Sequence, residues 1–255
     1  MFSQLRGNNP VKLPNNKSDI EIQIIDWYAD NLESMEDDDS DSEQEPIEET
    51  KKKYKDKKFM IKAYGSTIKG TSICINISGY PPHFYIEIPD SWCKIKAKMF
   101  VANIKNRKDF PDYLKESIKD YTIVERKKFR GFTNNKLFKF IQISFSNTSA
   151  LYAFNKIVNK LNKSGGMRVP GLKTKNKHEI YESNIPPLLR FFHRHDIFPA
   201  GWIKLIAGKY ELNSKRESMT QLELNIKWSD IEMIDKTEMA PFIIASYDIE
   251  ADSSH

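Results

Sequence analysis

Between Phe59 and Ile88 the chain reads FMIKAYGSTIKGTSICINISGYPPHFYIEI, three runs of apolar residues at alternate positions separated by Gly- and Pro-bearing segments. On an extended chain, residues two apart share a face. Ile73, Ile75 and Ile77 therefore align, as do Phe84, Ile86 and Ile88. GSTIKG and GYPP carry turn chemistry. The stretch predicts a half-buried three-strand meander, which confines the fold to architectures with a sheet. A strand over Ile22 to Tyr28 is predicted ahead of it.

After the meander, Pro89-Asp90-Ser91 predicts a cap for a helix carrying Trp92, Ile95 and Met99 at helical spacing. A shorter helix is predicted over Tyr113 to Ile118. YTIVERKKF and LFKFIQISF read as strands around the turn RGFTNNK. Asn147-Thr148-Ser149 caps a longer helix with Leu151, Phe154, Ile157, Val158 and Leu161 on one stripe. NKSGGMRVPG reads as a flexible loop. YESNIPPLLRFFHRHDIF reads as a short helix capped by Ser183 or Asn184, with prolines in its first turn. GWIKLI and QLELNIKW read as strands, with ELNSKRESMT a polar loop between them. SDIEMIDKTEMA is a polar connector to a last strand at PFIIASY. Strands and helices mix without a βα repeat, so the predicted fold class is α+β.

The chain has 255 residues and 39% hydrophobic content, enough for one large core or two modest ones. No apolar run approaches the ~18 residues of a membrane span, and MFSQLRGNNPVKLPNN lacks the apolar core of a signal peptide. Cys74 and Cys93, the only cysteines, point to reduced intracellular thiols rather than a disulfide scaffold or a zinc site. The net charge of +5 is an average over segregated segments. Residues 33–50 are acidic and too poor in apolar side chains to offset the entropy of ordering, so they read as an exposed loop insertion. The rest is strongly basic, which favours a polyanionic partner.

Three features bear on chemistry. Asp248 and Glu250 end the apolar run and, on a strand, would point to one side. Paired carboxylates suit a hard divalent cation. Spacing alone says little, since 35 acids among 255 residues give about five acid-x-acid pairs by chance. His193 and His195 diverge if helical and have no third ligand at metal spacing, so a structural role is expected. ERKKFRGFTNNKLFK combines Arg126, Lys127, Lys128 and Arg130 with Phe129, Phe132 and Phe138. The bases could grip phosphates and the rings could stack on unpaired bases. The plainer alternative is a charged hairpin whose phenylalanines belong to the core.

Several segments, in this order, resemble the N-terminal region of family B DNA polymerases, above all the delta-like enzymes of eukaryotes and large DNA viruses. IQIIDWY with FMIKAYGSTIKGTSICINISGYPPHFYI resembles their opening strands. ERKKFRGF and LFKFIQISFSNTSALYAFNKIV resemble the next strand and helix, and YESNIPPLLRFFHRHDIFPAGWIKL the helix and tryptophan strand leading to the exonuclease. PFIIASYDIEAD resembles the first motif of the 3′–5′ proofreading exonuclease.

Residues 1–21 are polar and read as a disordered N-terminus; the resemblance, which starts at about residue 22, implies a polymerase N-terminal domain with its lead-in (22–240) and the first strand of a ribonuclease-H-like exonuclease domain (241–255). It implies that Asp248 and Glu250 ligate Mg²⁺, with further acids from later motifs that this sequence does not contain. DNA template-primer, the remainder of a polymerase chain, and a sliding clamp or accessory replication subunits are the implied partners, with no membrane. The implied location is the nucleus or a cytoplasmic viral replication compartment. Isolated, the chain is expected to catalyse neither polymerisation nor excision. The acidic insertion departs from the family pattern. Two rivals stand beside this reading. One is a stand-alone single-stranded nucleic-acid-binding module. The other is a different ribonuclease-H-like nuclease or transposase, which would not carry the YESN segment.

Overall fold

The computed structural model describes residues 18–33, 57–129, 131–168, 175–242, 244 and 246. In chain order these form β1 (Ile20–Glu33), β2 (Lys57–Ser66), β3 (Ser72–Ser78), β4 (His83–Glu87) and α1 (Lys94–Lys105). A 3₁₀ turn (Asp112–Ser117), β5 (Ile118–Lys127), β6 (Leu137–Phe145) and α2 (Thr148–Lys163) follow. Then come β7 (Met167–Arg168), β8 (Lys175–Asn176), β9 (Ile180–Tyr181), α3 (Pro187–His195), β10 (Trp202–Leu205), β11 (Tyr210–Leu212), β12 (Leu222–Lys227) and β13 (Ile231–Ile234). The chain divides into two units, one of residues 1–27, 63–76 and 197–255, the other of 28–62 and 77–196.

The first unit is built on a seven-stranded sheet in the order β11-β12-β3-β2-β1-β10-β13. β10 pairs antiparallel on both sides, with Trp202 opposite Gln23 of β1 and Ile234 of β13. Gly65 sits where a Cβ would overlap the Gln23 carbonyl, so β2 reaches its place beside β1 only with glycine there. β3 is buried on both faces, Cys74 and Asn76 along with the isoleucines, where the alternation predicts one wet face. ELNSKRESMT is not simply loop, since its first two residues complete β11, and the polar connector after Trp228 contains β13, an edge strand.

The second unit holds a four-stranded sheet, β5-β6-β4-β9. The predicted meander therefore breaks after two strands: β4 pairs with β6 (Phe84 opposite Ile143) and β9 (Tyr85 opposite Tyr181), not with β3. Gly79 takes a left-handed turn (φ 82°), and Pro81 and Pro82 have no N–H to continue a ladder. The Pro82 carbonyl instead accepts from the Phe145 amide at 2.8 Å, which starts β4 alongside the end of β6. Phe84, Phe145 and Phe154 meet at ring separations of 5.5–5.9 Å in the core between this sheet and α2.

α2 has the predicted stripe and the predicted cap: Asn147 Oδ1 accepts from the Ala150 amide at 2.9 Å. α1 differs. It begins after Cys93 and buries Ala97, Phe100, Val101 and Ile104, leaving Ile95 70% exposed. Trp92 precedes the helix and packs on Phe100 at 5.7 Å. Over Tyr113–Ile118 the helix is the 3₁₀ turn. α3 has Pro186 at its cap, without a side-chain bond, in place of Ser183 or Asn184. In NKSGGMRVPG, Gly165 and Gly166 (φ 90° and 100°) end α2, and Met167 is buried and pairs with Asn176, so this part is ordered. The architecture is thus mixed α and β. The acidic insertion beyond Glu33, most of residues 1–21, and Asp248 and Glu250 lie outside the described residues.

Candidate functional site

The chain leading to the carboxylate pair is fixed as far as Ala240. The Ala240 amide donates to Gln23 Oε1 at 2.7 Å, and Trp202 Nε1 to the Glu238 carbonyl at 2.8 Å. Lys236 covers the Trp202 ring at 4.4 Å and pairs with Glu21 at 2.7 Å. Beyond this, Pro241, Phe242, Ile244 and Ser246 are described, and none is in a strand. Ile244 is 82% exposed where a buried strand was expected. Ile244 has no ladder partner among the described residues. Asp248 and Glu250 themselves lie outside the described residues.

The histidines diverge on α3. His195 packs on Phe191 at 5.1 Å, and burial lowers its pKa, whereas His193 is exposed. Among the described residues no group of three His, Cys, Asp or Glu side chains could hold a metal ion.

The basic residues lie along the β5–β6 hairpin, whose ladder runs to Lys127 opposite Leu137. Its turn is shaped by left-handed Gly131 (φ 82°), Asn134 (φ 47°) and Asn135 (φ 59°), with the Lys136 amide bonded to the Thr133 carbonyl at 3.0 Å. The four bases named from sequence do not act alike. Lys128 is braced: it pairs with Glu87 at 2.6 Å and stands 4.2 Å from the Phe138 ring centre. Tyr181 Oη lies 2.9 Å from both Glu87 Oε2 and Glu179 Oε2. Burial, followed by those two carboxylates, pushes this phenol's pKa well above its ordinary range. A cavity of about 490 Å³ opens beside the brace, lined by Glu87, Lys128, Lys175, Lys177 and Glu179 among others. Among the described residues, Lys127 bonds to Asn135 Oδ1 (3.2 Å) and Arg126 to its neighbour's carbonyl (3.0 Å), and neither of these bonds is to an acid. Arg130 lies outside the described residues.

The phenylalanines divide as well. Phe138 is half-buried beneath Lys128 and Lys136. Phe129 and Phe132 are 107% and 97% exposed, so the core assignment fails for both. Lys136, absent from the sequence-named set, joins them on the turn. A signal for it was present: residues 126–139 hold six Lys or Arg and no Asp or Glu.

Residues 178–255 match the family model described as "DNA polymerase family B, exonuclease domain". The sequence is 33% identical to the DNA polymerase of Phaeocystis pouchetii virus over 210 residues, 80% of this chain and 20% of that protein. It is 30% identical to the DNA polymerase of Acanthamoeba polyphaga mimivirus over 205 residues, 76% of this chain and 11% of that one. With the DNA polymerase delta catalytic subunit of Arabidopsis thaliana it shares 28% identity over 204 residues, 75% of this chain and 18% of the relative. The chain thus spans about a fifth or less of the length of the curated relatives it matches. In fold it resembles the family B DNA polymerase of the archaeon Pyrobaculum calidifontis, with a TM-score of 0.50 and 10% identity over 81% of this chain and 20% of that one. By homology to viral and eukaryotic delta-type enzymes, this chain belongs to the family B DNA polymerases.

Proposed function

We propose that this chain serves as the N-terminal segment of a replicative DNA-directed DNA polymerase with 3′–5′ proofreading activity. Residues 22–240 would form the N-terminal domain and lead-in, and 241–255 the opening of the exonuclease. The observation carrying this reading is that the exonuclease-domain match over residues 178–255 contains the Asp248-x-Glu250 pair. The donor set fits a hard cation: two carboxylates offer the oxygen ligands that Mg²⁺ prefers. Asp248 and Glu250 would hold Mg²⁺, which when bound supplies a nucleophilic water for attack on the 3′-terminal phosphodiester. Their own part is to neutralise the cation's charge and fix its position, and two carboxylates are too few to do so for a pair of metals. The remaining ligands belong to segments outside this sequence.

The substrate is the DNA template-primer, met by the basic surface of the β5–β6 hairpin. The partners are the remaining polymerase segments, with a sliding clamp or accessory replication subunits. The location is the nucleus or a cytoplasmic viral replication compartment. In the complete polymerase, Asp248→Ala should abolish excision of a 3′-mismatched nucleotide while extension of a matched primer continues. The purified 255-residue chain should show neither activity. Excision or extension by the isolated chain that disappears in Asp248→Ala would refute the proposal.

A further inference from the structure

The geometry points to the β5–β6 hairpin tip as a stacking element for single-stranded DNA, with Phe129 and Phe132 as platforms for unpaired bases and Lys127 and Lys136 as phosphate contacts. For the choice of DNA this rests on the polymerase reading above. The rest comes from the hairpin itself.

Two fully exposed phenylalanines three residues apart are costly in water, and an exposed apolar tip marks a binding surface more often than chance. The charge around the rings selects the partner. The tip carries Arg126, Lys127 and Lys136, with no acid anywhere in residues 126–139. An acidic polymer with flat apolar faces complements it: phosphates meet the bases, and nucleobases meet the rings. Duplex DNA fits poorly, because its bases already stack on one another and offer only groove edges. Lys128 is excluded from the contact set, since Glu87 neutralises it and its ammonium lies over the Phe138 and Tyr181 rings instead of at the tip. Gly131, Asn134 and Asn135 take left-handed backbone in the turn, and Phe129 and Phe132 stand exposed there, not packed onto the sheet.

Fluorescence anisotropy of the full chain with a labelled 20-nucleotide oligo(dT), and with the matching duplex, across a salt series tests this. The single strand should bind more tightly than the duplex. Phe129→Ala with Phe132→Ala should weaken single-strand binding at least about tenfold and leave the salt slope unchanged. Lys127→Ala with Lys136→Ala should reduce that slope by about 1.4. Tyr152→Ala, which removes a half-exposed aromatic on α2, should change neither. Equal affinity for duplex and single strand, or undiminished binding by the double phenylalanine variant, overturns the stacking role. No DNA binding even at low salt overturns the whole inference and leaves the tip as a contact for a protein partner. None of these outcomes touches the excision assay on Asp248→Ala, so the two proposals fail separately.

Discussion

Glu223 is a carboxylate with no solvent exposure, bonded among the described residues to neutral donors. It accepts from Asn76 Nδ2 (3.0 Å), Asn213 Nδ2 (2.7 Å), the amides of Glu217 and Ser218 (3.0 and 2.9 Å) and Ser218 Oγ (2.8 Å). Burial alone pushes its pKa up, but these donors, Asn76 and Ser218 foremost, outweigh it and hold the group at about 2. The folded value lies below the ordinary 4.5, so this stabilisation is complete above about pH 4.5 and is lost as pH falls toward 2. Glu223→Gln should cost about 2 kcal/mol at pH 7 and remove that segment of the acid limb, as measured by urea unfolding at several pH values. His83 acts in a higher window. Burial drives its pKa to about 4 from 6.5. Its Nδ1 sits 3.0 Å from the Pro81 carbonyl and Nε2 faces Arg194 at 3.5 Å, the pattern of a neutral ring with Nδ1–H donating. The unfolded chain takes up this proton first, so stability should fall as pH drops from 6.5 to 4. His178 and His195 are lowered too, again mainly by burial, so His83→Phe should flatten that segment only in part.

At the scale of elements, Asn147 shows what a single cap can do. Its Oδ1 starts α2, while its Nδ2 donates to the Lys57 carbonyl (3.1 Å) and Ser117 Oγ (2.9 Å), joining helix, strand and 3₁₀ turn. Asn147→Ala should destabilise by about 2 kcal/mol, more than the ~1 kcal/mol of an ordinary cap. Asn147→Asp should recover the helix start but not the Nδ2 bonds, and so fall between, as read from urea midpoints. The cap and stripe of α2 were legible because both are local: an Asx cap followed by apolar residues at helical spacing. Elements decided by distant neighbours were not. Ile95 and Met99 have helical spacing, but the face that packs is Ala97-Phe100-Val101-Ile104. β4 reads like the third strand of a meander, yet two prolines send it to another sheet. β13 hides in a charged segment because an edge strand needs only one buried neighbour, here β10. Within the candidate site, Phe129 and Phe132 read more plainly as core than as tip, yet both are exposed. Only the position of the turn decides between them.

On the whole-molecule scale, the order of motifs identified the family where no single motif could, since Asp-x-Glu is common by chance. What the order leaves untouched is the segregation of charge. Residues 33–50 hold ten acids and no base, so the remaining residues carry a net charge of +15 against +5 for the whole chain. Such a block lowers the positive potential felt by an approaching polyanion, whatever its structure, and it does so only across distances comparable to the Debye length of about 10 Å at 0.1 M salt. Replacing the acids of residues 34–50 with Asn and Gln should therefore raise affinity for DNA of any sequence at 50 mM salt by about tenfold or more, chiefly through faster association. The gain should shrink to nothing near 0.5 M salt, where screening removes the long-range term. Stopped-flow anisotropy across this range separates the two rate constants. An affinity gain that persists at high salt would mean that the block occupies the DNA-binding surface directly instead of weakening its field.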